Sequence, residues 1–127
     1  MPDADPTAFR GPAGQVEPTL DPAGFERLRR IGGEELVRAM VAAFLENAPR
    51  RVATAVEASA AGDREGVARA AHSLKSTAGN LGATAVQRAA ERLERDAAGA
   101  SDLELEALVA ELQTRFRQLV AELQRSL

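Results

Sequence analysis

The residues best suited to covalent chemistry are the single histidine of the chain, His72, and its single lysine, Lys75. Every other basic residue is an arginine, so a lysine at position 75 departs from the bias of the composition. In a helix, residues three positions apart share a face, with Cβ atoms about 5–6 Å apart. A neutral imidazole is a nucleophile near neutral pH, and a nearby ammonium can offset negative charge. The pair is therefore suited to handling a phosphoryl group.

A histidine on a helix is most often an ordinary polar residue, so the surrounding sequence has to decide its role. The run from Ala71 to Gly82 resembles the signature of histidine-containing phosphotransfer (HPt) domains, in which H-x-L-K-G is followed by an apolar residue and a glycine. The residues that match this signature are His72, Leu74, Lys75, Leu81 and Gly82. Ser76 is a departure, because the family more often has glycine at that position.

The resemblance extends upstream and covers residues 19–127. The segment from Phe44 to Pro49 is similar to the proline-interrupted helix that commonly precedes the histidine helix in this family. The resemblance implies a phosphorelay protein that carries a phosphoryl group on His72 and exchanges it with the aspartate of a response-regulator receiver domain. It also implies that Lys75 offsets the negative charge of the phosphate.

The polar face around the histidine is the expected docking surface for the receiver. Ser76 and Gly79 would keep this surface low enough for the partner to reach His72, or they would relieve crowding against a neighbouring helix; the sequence leaves both readings open. The candidate docking residues on this face are Ala68, Arg69, Ser76 and Gly79.

The residue inventory argues against other chemistry. Neither a P-loop nor G-x-G-x-x-G occurs, so we expect a phosphoryl carrier without ATP-binding kinase activity, and not an enzyme. One histidine and no cysteine leave too few ligands for a zinc site, so no metal site is expected. By the family resemblance the chain needs no cofactor, because Mg²⁺ would be bound by the receiver partner alone.

Two alternatives remain open from the sequence. The chain could be a helical-bundle interaction module that binds a receiver or kinase without accepting phosphate, although the presence of His72 and Lys75 argues against this. It could also be an HPt fragment of a hybrid sensor kinase, in which case a hybrid histidine kinase is a further partner.

Charge and hydropathy limit the other partners. The net charge is −3, and the arginines alternate with acidic residues, so no basic stripe is available for nucleic acid. No apolar run approaches the ~20 residues of a membrane span, and no signal-peptide pattern is present. The absence of cysteine fits a reducing compartment. We therefore expect a cytoplasmic monomer that binds neither nucleic acid nor a membrane.

Apolar spacing predicts an all-α protein, an antiparallel four-helix bundle with a short additional N-terminal helix. Residues 1–18 are rich in proline and glycine with almost no apolar periodicity, so we expect a flexible tail there and the bundle domain over 19–127. The short helix should end at Gly32–Gly33, and a long helix kinked at Pro49 should span 34–62.

The histidine helix should begin after Asp63, a good N-cap residue, and bury one apolar stripe. His72 lies about 100° around the helix from this stripe, on the polar face. Capping boxes at Thr84 with Gln87 and at Ser101 with Glu104 should start the last two helices. The residues of the predicted stripe are Val67, Ala71, Leu74, Ala78 and Leu81.

Overall fold

A computed structural model describes residues 9–10 and 16–126 of the chain. The predicted tail over residues 1–18 falls largely outside these residues. Two short strands pair antiparallel, with Phe9 opposite Glu17. The elements are β1 (Phe9–Arg10), β2 (Val16–Glu17), α1 (Pro22–Ala60), α2 (Arg64–Leu81), α3 (Thr84–Asp96) and α4 (Asp102–Ser126).

The four helices of the described residues pack in sequence, α1 against α2, α2 against α3 and α3 against α4, and α4 also contacts α1. Residues 61–63, 82–83 and 97–101 connect them. Connections this short make successive helices antiparallel neighbours. The predictions of an all-α fold and a four-helix bundle are therefore confirmed.

The core follows the predicted apolar spacing. Every residue of the predicted stripe on α2 is at most 1% exposed. Between α1 and α4, the rings of Phe44 and Phe116 lie 6.1 Å apart, centroid to centroid. Ile31, near the predicted end of the short first helix, is 71% exposed. The buried residues of α3 and α4 include Val86, Ala90, Leu93, Leu105, Leu112, Phe116, Leu119 and Leu123.

The first helix differs from its prediction. A separate short N-terminal helix is not confirmed; Pro22–Ala60 consists of two helical stretches that meet at a kink. Within it, Gly33 has non-helical torsions, φ 73° and ψ −169°, and this is where the helix kinks. Pro49 lies inside the helix, in the stretch that follows the kink.

The helix ends are set by local hydrogen bonds. Asp63 Oδ1 accepts from the Gly66 amide at 2.9 Å and caps α2. The predicted box before α4 is confirmed, since the Ser101 amide donates to Glu104 Oε1 at 2.8 Å. The Glu104 amide donates in return to Ser101 Oγ at 3.1 Å.

The predicted capping box at Thr84 and Gln87 was wrong. The N-cap of α3 is Ala83, which offers no side-chain cap, and Thr84 is already the first residue of the helix. Gly82, with φ 77°, ends α2 in a left-handed conformation, so the chain turns within two residues. This tight turn leaves α2 and α3 side by side.

The start of α1 is attached to this turn. The Asp21 amide donates to the Gly82 carbonyl oxygen at 2.7 Å, and the Ala85 amide donates to the Pro18 carbonyl oxygen at 3.1 Å. The chain before α1 therefore lies against the C-terminal end of the histidine helix and the start of α3. Within the described residues, no helix is both long and apolar enough to cross a membrane.

Candidate functional site

His72 lies on the surface of α2, where its side chain is 62% exposed. The neighbouring residue Ala71 is fully buried, as is Leu74 two positions later, because the opposite face of the helix packs into the core. This burial fixes the backbone of α2 and leaves the imidazole facing outward. A partner can therefore approach the ring without any change in the core.

The imidazole is bound to a carboxylate that comes from α3. His72 Nδ1 lies 2.7 Å from Glu94 Oε2, and Lys75 Nζ lies 2.8 Å from Glu94 Oε1. One carboxylate therefore joins the two residues singled out in the sequence. The ionised carboxylate accepts a hydrogen bond from Nδ1–H, which leaves the lone pair of the neutral ring on Nε2.

The electrostatic environment keeps Glu94 ionised. The hydrogen bond from Lys75 lowers the pKa of the Glu94 carboxyl, as does the bond from His72, while partial burial acts in the opposite direction. Because a carboxylate beside an ammonium is close to neutral as a pair, Glu94 can orient the ring without presenting a full negative charge to an incoming phosphate.

The four predicted docking residues differ in their surroundings. Arg69 and Ser76 are exposed on the same side of α2 as His72, whereas Ala68 is half-buried and packs against the core. Gly79 lies beneath a side chain of α3, because a Cβ at this position would be 2.9 Å from Gln87 Nε2. At Gly79 the structure thus favours relief of crowding between helices.

Sequence reasoning missed Glu94, although the turn between α2 and α3 offers a signal. His72 and Glu94 lie eleven residues before and after residue 83, and Gly79 and Gln87 lie four residues before and after it. In a helical hairpin with a tight turn, positions equidistant from the turn face each other. The register alone therefore indicates Glu94 as the partner of His72.

No group of three or more His, Cys, Asp or Glu side chains in the described residues 9–10 and 16–126 could hold a metal ion. The arrangement in hand is an exposed nucleophilic ring, oriented through one nitrogen by a neutralised carboxylate. It can accept and release a small group at its other nitrogen.

A family model described as the Hpt domain matches residues 39–126, which include the second half of α1 and all of α2, α3 and α4. The chain belongs to the HPt domain family. Its members are phosphoryl carriers, and this HPt protein is accordingly a histidine phosphotransfer protein of a phosphorelay.

The fold of the HPt domain is also found in a solved structure, the histidine-containing phosphotransfer protein B (HptB) from Pseudomonas aeruginosa PAO1. The TM-score is 0.78 and the sequence identity 22%, with 86% of this chain and 94% of that chain covered. The two proteins therefore share the helical-bundle fold. No curated protein sequence matches the chain.

Proposed function

We propose that this HPt domain carries its phosphoryl group on Nε2 of His72 and exchanges it with the aspartate of a receiver domain. The observation that supports this most directly is the bond between His72 Nδ1 and Glu94, at 2.7 Å on an exposed ring. The bond holds the proton on the inner nitrogen and leaves the outer nitrogen as the nucleophile.

In the transfer step, the lone pair of Nε2 attacks the phosphorus of the receiver's aspartyl phosphate. The bond between phosphorus and the aspartate oxygen breaks, and its electron pair returns to the aspartate as a carboxylate. The phosphorylated ring is then an imidazolium, whose remaining proton stays on Nδ1 against Glu94. Return of the group to a second receiver reverses these steps.

The carrier supplies positioning, because phosphoryl transfer depends mainly on alignment and charge stabilisation. We propose that Mg²⁺ is supplied by the receiver and that the chain uses no cofactor of its own. The bundle already holds His72, Lys75 and Glu94 together, so the proposed activity requires a monomer only. A hybrid histidine kinase with a receiver domain would be a partner of the same kind.

The proposed docking surface surrounds the exposed ring. Arg69 and Ser76 are exposed, Ala68 lies one turn before His72 along α2, and Gly79 lies two turns after it. Small or flexible side chains here leave the space that a receiver needs to bring its aspartate in line with Nε2.

The test is incubation of the protein with labelled, phosphorylated receiver domains from the same organism. Wild-type protein should acquire an acid-labile, base-stable label, and His72→Gln should acquire none while keeping its helical content and unfolding midpoint. Arg117→Gln, an exposed change on α4, is the matched control and should be labelled like wild type. Label on the Gln variant at position 72 would contradict the proposal.

A further inference from the structure

Two cationic side chains, those of Lys75 and Arg69, flank His72 on α2, and they differ in their contacts. Successive helical residues are about 100° apart, so Lys75 lies about 60° to one side of His72 and Arg69 about 60° to the other. Lys75 is bound to Glu94 at 2.8 Å on the side that faces α3. Arg69 is exposed and has no ion pair or hydrogen-bond partner for its side chain among the described residues.

The direction of the ring separates these two sides. The two nitrogens of an imidazole point in nearly opposite directions, and Nδ1 of His72 points to Glu94. A group on Nε2 is therefore directed away from α3 and from the Lys75 ammonium. It lies on the side of Ser76 and Arg69, where the helix surface is exposed.

The side of α2 away from Glu94 also carries positive charge from α1. Arg51 of α1 and Arg69 of α2 line one shallow groove between these helices. Asp63, which also borders the groove, is bound through Oδ1 to the Gly66 amide at the start of α2. The remaining lining residues are Thr54, Ala58, Gly66 and Ala70, which are uncharged.

We propose that Arg69 is the cation that binds the phosphoryl group on phosphorylated His72, whereas Lys75 serves to neutralise Glu94. A guanidinium presents two parallel donors to phosphate oxygens and can make bidentate charge-assisted bonds. Residues three apart on a helix are within reach of each other, and the arginine side chain is long enough to span the distance. Arg51, across the groove, adds to the positive potential. The inference rests on the proposed function and assigns the charge-stabilising role to a residue other than Lys75.

The assignment has a consequence that a docking role would not produce. A guanidinium bound to the phosphoryl group favours its dianionic form, so Arg69 should lower the pKa of the second ionisation of the phosphohistidine. It should also stabilise the phosphorylated protein relative to the phosphorylated receiver. Lys75, held on the other side by Glu94, should affect this ionisation much less.

The experiment uses phosphoramidate as a small phosphoryl donor, so no receiver is present, and follows the phosphorus NMR shift of the phosphohistidine against pH. Arg69→Gln should raise the pKa of the phosphoryl group, and Arg69→Lys should restore part of the difference. Arg117→Gln should match wild type. With a receiver added, Arg69→Gln should shift the exchange equilibrium about fivefold toward the phosphorylated receiver, equivalent to about 1 kcal/mol.

An unchanged phosphoryl pKa in Arg69→Gln, or a larger change in Lys75→Gln than in Arg69→Gln, would overturn the inference and leave the proposed function intact. Wild-type protein that takes no phosphoryl group on His72 from either the donor or a receiver would overturn both. A loss of receiver exchange in Arg69→Gln with an unchanged phosphoryl pKa would show that Arg69 contacts the partner instead, which also contradicts the inference.

Discussion

Gly24 and Gly82 lie backbone against backbone: a Cβ on Gly24 would be 2.8 Å from the Gly82 Cα, and a Cβ on Gly82 would be 3.1 Å from the Gly24 Cα. Gly82 also needs its positive φ of 77° to end α2. The glycine that closes the family signature is therefore a structural residue. It allows the start of α1 to pack on the end of the histidine helix.

Gly24→Ala should lower the free energy of unfolding by about 2 kcal/mol, as expected for overpacking against atoms that cannot move aside. The added Cβ would meet the Leu81 carbonyl oxygen at 2.6 Å, which is backbone. Urea unfolding measures the difference. Gly99→Ala is the control, because no atom of the described residues would lie within 4 Å of the added Cβ. Equal stability of the two variants would show that the contact between α1 and the turn is looser than described.

Glu94→Gln should slow phosphoryl transfer from a receiver by about tenfold, the lower end of the loss that follows removal of the partner that orients a metal-binding histidine. The amide cannot neutralise Lys75, and it no longer holds the ring by a charged bond. Single-turnover kinetics measure the rate. Glu91→Gln, an exposed change one turn away on α3, should transfer like wild type. If the Glu94→Gln variant transferred at the wild-type rate, Glu94 would have no role in phosphoryl transfer.

Glu17→Gln should raise the free energy of unfolding at pH 7. Burial raises the pKa of the Glu17 carboxyl above 4.5 despite the nearby Arg92, and Glu17 Oε1 is buried with no hydrogen-bond partner in the part of the chain that the structure describes. Folding therefore disfavours the ionised carboxylate relative to the unfolded chain, and the uncharged glutamine removes that cost.

The sign of the pH effect follows from that raised pKa. The stability that Glu17 contributes is fully present below pH 4.5 and is lost as pH rises through the raised native pKa. The advantage of the Gln variant should accordingly disappear below pH 4.5. Glu26→Gln, a change at an exposed position of α1, is the matched control. Destabilisation by Glu17→Gln at pH 7 would mean that the ion pair with Arg92 outweighs the cost of burial.

Ser76→Tyr should leave the protein folded and reduce transfer from a receiver by at least tenfold, about 1.4 kcal/mol. Ser76 is exposed and lies on the side toward which Nε2 points, so a large ring there blocks in-line approach. Phosphorylation by phosphoramidate should be affected less, because the small donor needs less space. Ser76→Ala should transfer normally. If the Ser76→Tyr variant were unfolded, position 76 would be required for packing and not for docking.

The buried face of α2 could be predicted from the sequence because one helical period places Val67, Ala71 and Leu74 on the same side. The position of His72 outside that face followed from the same period. The pattern of Thr84 and Gln87 alone could not show whether Thr84 is the N-cap of α3. Gly82 and Ala83 complete the turn in two residues, so Thr84 already lies in the helix.

Glu94 could not be found from its own helix, since α3 carries several acidic residues and periodicity does not say which one faces α2. Its role depends on the pairing of two helices, which the turn at Gly82 sets. Arg69 and Lys75 are each three residues from His72, so spacing alone does not say which of them faces α3. In the structure Lys75 is on the side where α3 supplies a carboxylate.

The non-helical residue Gly33 divides α1 into two parts, and the first part buries fewer apolar side chains in the bundle than the second. Before it, Leu28 is buried and Ile31 is 71% exposed; after it, Val37, Val41 and Phe44 lie in the core. Amide hydrogens of the first part should therefore exchange with solvent through a local opening that leaves the rest of α1 in place. The protein would then have two cooperative units within one helix, and opening of the smaller unit would remove the contacts at Gly82 while the rest of the histidine helix stays packed.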